Sequence, residues 1–135
     1  MKRLSGLTLL DEQEGTGRVA QKGDHVVYNM RLYLNKGDEV LLNKMQAKHV
    51  SKEKIRIQDG VTLIDRTVTL GCRKVIAGVE HTLLEMKVGG YRKVRISPHL
   101  AYSGKGIPDL IPPDAVLVAE IWLRGVLETS TVRVQ

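Results

Sequence analysis

The chain has 135 residues, 42% of them hydrophobic, with no phenylalanine, four tyrosines and one tryptophan. That length suits one domain rather than two, and its core must be built from Val, Leu, Ile and Met, with too few rings for an aromatic cage or a base-stacking platform. The formal net charge is +6, and much of it is local, because between Asn43 and Gln58 the cations Lys44, Lys48, Lys52, Lys54 and Arg56 face only Glu53. A dedicated nucleic-acid binder spreads its charge along a face, so nucleic acid is not the expected partner.

Cys72 is the only cysteine. No intrachain disulfide can form, which fits a reducing cytoplasm. The opening MKRLSGLTLLDEQE has two basic residues and a short apolar run, but acidic residues follow at once. No secretory leader is expected, and no apolar run nears the ~20 residues that span a membrane.

The stretch around Leu4 to Leu10 predicts an edge strand. From Val26 the pattern alternates, with Val26, Tyr28, Met30, Leu32 and Leu34 on one side. That predicts a strand with one buried face, turning at Gly37-Asp38 into a hairpin. Residues 43–65 show no clean period. Lys44, Lys48 and Lys52 would stack like charges on a helix. The segment reads as an exposed loop or flap, with at most a short helical turn.

Thr67 to Gly71 predicts a strand with Val68 and Leu70 inward. Val79, Leu83 and Met86 then recur at i, i+4 and i+7, one buried helical stripe of about three turns closed by Gly89-Gly90. Tyr91 to Ser97 predicts a strand with Val94 and Ile96 inward, stopped by Pro98. A last strand runs from about Ala115 to Gly125, with Leu117, Ala119, Ile121 and Leu123 on one side. The pattern is an α+β domain, an antiparallel sheet with one short helix between two strands.

Four segments in order, KGDHVVYNMRLYLNKGDEV, LGCRKVIAGVEHTLLEMKVGGYRKVRISP, HLAYSGKGIPDLIPPDA and LVAEIWLRGV, resemble an FKBP-type peptidyl-prolyl cis-trans isomerase. The resemblance covers about residues 15–126, apart from a basic insert near 43–65 and a short tail over 127–135. It implies an FKBP-like curved antiparallel sheet of five or six strands wrapped around one short helix, forming a single domain over residues 1–135. It also implies an apolar pocket that receives a prolyl side chain. By the resemblance, the helix begins at Val75-Ile76-Ala77-Gly78, where the Ile76 N–H holds the carbonyl of the residue after or before the proline. Tyr102 hydrogen-bonds substrate backbone, and Leu110, Ile111, Pro112 and Pro113 form a wall. Ala119, on the strand behind, is expected at the hollow's floor or wall.

The implied chemistry is slight. An X-Pro bond crosses a barrier of roughly 18–20 kcal/mol because resonance holds it planar. An apolar site favours the twisted amide, so catalysis is differential binding and needs no nucleophile, metal or cofactor. Clients would be proline-containing peptide segments, met by a monomer away from membranes.

This chain departs from the family pattern at the pocket. Met30 stands where the family has a tyrosine, Val40 and Leu41 replace a Phe-Asp pair, Val79 replaces a tryptophan and Ala119 a phenylalanine. Arg66 falls where a phenylalanine follows the flap. Tyr102, Val75 and Ile76 keep the expected types. Each lost ring removes about 1 kcal/mol of apolar contact. The pocket therefore either isomerises slowly, has collapsed, or takes a bulkier ligand. Three functions follow: an isomerase carried by Tyr102 and Ile76, with Met30, Val40, Leu41, Val75, Val79, Leu110, Ile111 and Ala119 binding substrate; a catalytically impaired, chaperone-like module that grips clients through the basic insert; or, least expected, a binder of nucleic acid or acidic partners through that insert. His25, His49, His81 and His99 have no metal-site spacing, and Cys72 is expected to be buried as a small apolar residue.

Overall fold

A computed structural model describes residues 1–127; the expected tail beyond Leu127 lies outside the described residues. In chain order the elements are β1 (Leu7–Gln13), β2 (His25–Leu34), β3 (Glu39–Val40), α1 (Leu42–Gln46), β4 (Ile55–Gln58), β5 (Val61–Ile64), β6 (Arg66–Thr69), α2 (Ala77–Leu83), β7 (Tyr91–Ile96) and β8 (Leu117–Leu127). Six strands form one sheet in the order β1-β7-β8-β2-β3, with β6 pairing the other end of β2. All its pairings are antiparallel, which matches the FKBP-like α+β expectation.

The alternating patterns place the core. Val26, Tyr28, Met30 and Leu32 on β2, Val94 and Ile96 on β7, and Leu117, Ala119, Ile121 and Leu123 on β8 are all buried. Against this face lies α2, presenting Val79 and Leu83. Gly78 lets it approach closely, since a Cβ there would sit 2.5 Å from Ile96 Cγ2.

The helix is shorter than the three turns its stripe suggested. It ends at Leu83, Leu84 is extended, and Glu85 takes φ +70°. Met86 is still buried, but it reaches the core from the turn after the helix, where its N–H donates to Leu83 O at 3.2 Å. There Glu85 N–H donates to Ala20 O at 2.8 Å and Ala20 N–H to Met86 O at 2.8 Å. The released helix end is held by Arg92 of β7, whose Nη1 donates to Thr82 O at 2.7 Å while its Nε donates to Glu12 of β1 at 2.8 Å.

The 43–65 insert is not simply a solvated flap. Its lysines are exposed, yet Asn43, Leu63 and Ile64 are buried. Strands β4 and β5 form a hairpin across Asp59-Gly60, with φ +51° and +80°, a turn those two residue types favour. The hairpin docks on the outer face of β2. Asn29, fully buried there, donates through Nδ2 to Ile64 O at 2.8 Å and to Asp65 Oδ1 at 2.9 Å. Arg124 closes the arrangement, donating from Nε to Asn29 Oδ1 at 2.6 Å and from Nη2 to Gln58 at 2.5 Å.

Cys72 differs from expectation: it is exposed, on the turn leading out of β6. Among the described residues no helix is long and apolar enough to cross a membrane.

Candidate functional site

A hollow of about 440 Å³ opens where β2, α2, the 73–76 segment and the loop after Tyr102 meet. Its size falls in the range of small-ligand sites. Val79 from the first turn of α2 and Met30 from β2 supply a buried apolar floor. Val75 and Ile76 border it on the approach to the helix. Ile76 O accepts from Val79 N–H and Glu80 N–H, both at 3.1 Å, while no backbone acceptor takes the Ile76 N–H among the described residues.

Tyr102 borders the opposite side from a short loop that Gly106 tightens. Gly106 N–H donates to Tyr102 O at 3.1 Å, and Ile107 and Ile111 exchange backbone hydrogen bonds of 2.8 Å. A Cβ on Gly106 would meet Ile111 O at 2.2 Å, and its φ is +60°, so only glycine fits this turn. The loop thereby holds its shape without substrate, which reduces the ordering cost of binding.

Arg66 also lines the hollow. It sits opposite Tyr28 across the β2–β6 pair, so the two side chains share a face. Arg66 Nη2 donates to Asn43 Oδ1 at 2.9 Å, and Asn43 Nδ2 donates to Met30 O at 2.7 Å. The Arg66 Nε is buried and has no hydrogen-bond partner among the described residues. Leaving such a donor unpaired costs about 1–3 kcal/mol. Burial raises the pKa of the Tyr28 and Tyr102 phenols above the ordinary value, and Arg66 draws both part of the way back. Burial lowers the Arg66 pKa, opposed by those two phenols.

The hollow thus gathers Met30, Val75, Ile76, Val79 and Tyr102 from the expected set. Val40, Leu41 and Leu110 border a neighbouring hollow with Lys44, Met45, Lys48 and Asp109. Leu110 and Ile111 border a third with the prolines of the 108–113 loop. Ala119 is wholly buried in the sheet, between Leu32 of β2 and Val94 of β7. Residues not anticipated as lining include Tyr28, Leu42, Gln46, Arg73, Lys74 and Ile107. Tyr28 had a visible signal, since it lies two residues before Met30 and therefore on the same strand face.

A sequence model of the family described as FKBP-type peptidyl-prolyl cis-trans isomerase matches residues 16–124. The FK506-binding protein 1A of Neurospora crassa is 32% identical over 125 residues, covering 92% of this chain and 91% of the relative. An FK506-binding protein of Neisseria meningitidis serogroup B is 30% identical, over 93% of this chain and all of its own length. A longer relative, the FK506-binding protein 4 of Chaetomium thermophilum, is 34% identical over 91% of this chain but only 22% of its own length. The chain belongs to the FKBP-type peptidyl-prolyl cis-trans isomerase family.

Proposed function

We propose that the hollow beneath Tyr102 turns X-Pro bonds by binding the twisted amide more tightly than either planar form. The observation that carries this reading is the convergence of Val75, Ile76, Val79 and Tyr102 on one open space with an apolar floor. A pyrrolidine ring enters against Val79, Met30 and Tyr28. The Ile76 N–H holds a substrate carbonyl, and the Tyr102 hydroxyl donates to substrate backbone. With the flanking chain held and water thinned from the amide, the loss of resonance costs less than in solution. The reading extends to a monomer that assists folding in a reducing cytoplasm, where the exposed Cys72 thiol stays free of cross-links. A protease-coupled assay on Xaa-Pro peptides tests it, and rates equal to the uncatalysed ones for every Xaa would remove it.

A second reading has its own support. Leu41 and Met45 are about half exposed and, with Leu110, Lys44 and Lys48, border a hollow of about 410 Å³ beside the insert. Glu39 and Asp109 offset the two lysines there, and the exposed apolar side chains suit unfolded client segments in a holding role. Leu41→Ser with Met45→Ser should then weaken suppression of client aggregation while peptide turnover persists. Undiminished suppression would end the reading. Deleting 43–65 is no test, because it removes the buried Asn43, Leu63 and Ile64.

A further inference from the structure

The hollow's charge is one-sided. Twelve residues line it; Arg66, Arg73 and Lys74 are cationic and none is acidic. None of the ion pairs among the described residues involves these three. Glu80 of α2 accepts instead from the Gly71 N–H at 3.0 Å. Arg73 and Lys74 are exposed, whereas Arg66 is half-buried between the Tyr28 strand and Asn43. Asn43 supplies a single neutral acceptor, and the buried Nε has none. The guanidinium is therefore under-neutralised in surroundings where charge is weakly screened.

We propose, building on the isomerase reading, that this hollow selects prolines flanked by an acidic residue, with the Asp or Glu carboxylate next to the proline drawn to Arg66. An uncharged aliphatic flank gains nothing from a guanidinium in the wall and must leave it under-solvated. A carboxylate supplies the missing counter-charge through charge-assisted hydrogen bonds to the terminal guanidinium nitrogens, while the Nε stays buried. Arg73 and Lys74, on the segment leading to Ile76, add the same sign of potential at the mouth and speed the approach of acidic segments. A lysine flank meets like charge on entry. Specificity thus arises from attraction and from repulsion together.

The test uses succinyl-Ala-Xaa-Pro-Phe anilides with Xaa Glu, Gln, Leu or Lys, assayed with the full chain and with Arg66→Met and Arg66→Lys. The glutamate peptide should exceed the isosteric glutamine peptide in kcat/KM by about tenfold, the effect of one charge-assisted contact. Lysine should fall below both. Arg66→Met should bring the Glu/Gln ratio close to one, and Arg66→Lys should keep an intermediate ratio. If a variant does not fold, the wild-type ratio alone decides. Equal rates for Glu, Gln and Lys overturn the inference and leave the isomerase reading standing. No turnover of any peptide, with the glutamate peptide still binding more tightly than the glutamine peptide in a chemical-shift titration, supports the inference and sinks the isomerase reading. Acetyl-Ala-Ala-Pro with a free carboxylate, compared with acetyl-Ala-Glu-Pro-amide, separates a chain-terminal carboxylate from a side-chain one as the anion recognised. Tighter binding of the free terminus would overturn the side-chain assignment.

Discussion

A half-buried guanidinium held by one asparagine makes a sharp energetic prediction. Asn43→Ala removes two hydrogen bonds, one to Met30 O and one from Arg66. A neutral bond contributes about 1 kcal/mol and a charged one about 1.5–3, so the expected loss is about 3 kcal/mol. Arg66→Met behaves differently. It loses the same charged bond but also removes the buried, unpartnered Nε, and its unbranched chain can fill the space the Arg stem occupied. Its net effect should lie within about 1 kcal/mol of zero. In the double variant only the Met30 contact and its carbonyl remain to be lost, about 1–2 kcal/mol. The two sites should therefore couple by about 1–2 kcal/mol, beyond the ~0.5 kcal/mol scatter of independent sites. Urea denaturation of the four proteins, read as midpoint shifts at constant m-value, measures this directly. A loss above about 3 kcal/mol for Arg66→Met, with additive effects, would refute the reasoning. Arg66 would then be a strut, and its presence would say nothing about ligands.

Tyr102→Phe should reduce kcat/KM on Xaa-Pro peptides by about fivefold, the value of one neutral hydrogen bond, in the protease-coupled assay. Leu63→Ala should cost about 2–5 kcal/mol in urea denaturation, as for a packed core leucine, although Leu63 lies in the insert. All four tyrosines have pKa values raised above the ordinary value, with burial the first cause in each. The folded protein thus favours the neutral phenols. The resulting stability is fully present below about pH 10, the unfolded value, and is lost as pH rises through the higher folded values. Absorbance titration near 295 nm should show phenolate late in the native protein and near pH 10 in urea. A FK506-type macrolide should bind about a hundredfold more weakly than to a relative with a ring-lined pocket, from about 1 kcal/mol lost at each of two or three positions. Calorimetric titration showing comparable affinity would restore a ring-like lining to this hollow.

Periodicity carried most of the scaffold. Alternation over Val26–Leu34 and Leu117–Leu123 placed β2 and β8 and their inward faces, because a half-buried strand repeats every two residues. The Val79, Leu83, Met86 stripe identified the right buried residues but the wrong conformation for the last. Periodicity cannot tell a third helical turn from chain pairing with Ala20 through two hydrogen bonds. The insert was less legible for a related reason. Its signal was local, an Asp59-Gly60 turn between short apolar runs, while the dense lysines suggested only solvent. Asn29 illustrates the limit. Its outward position on β2 predicts exposure, and a distant hairpin buries it. At the hollow, Val75, Ile76 and Tyr102 were located through the family resemblance, because neither periodicity nor spacing marks them as lining. Tyr28 was visible through its shared strand face with Met30, Arg73 and Lys74 join through tertiary geometry, and Ala119 goes to the sheet interior because Leu32 and Val94 flank it.

Arg92 deserves a mechanical reading. One side chain rooted in β7 grips the last turn of α2 and the edge strand β1 at once. Detaching the edge would strip the guanidinium of its carboxylate and loosen the helix terminus with it. Backbone amides of these three elements should accordingly exchange with deuterium as a single cooperative block, and peeling of the amino-terminal ribbon would reach the floor of the ligand hollow through one residue.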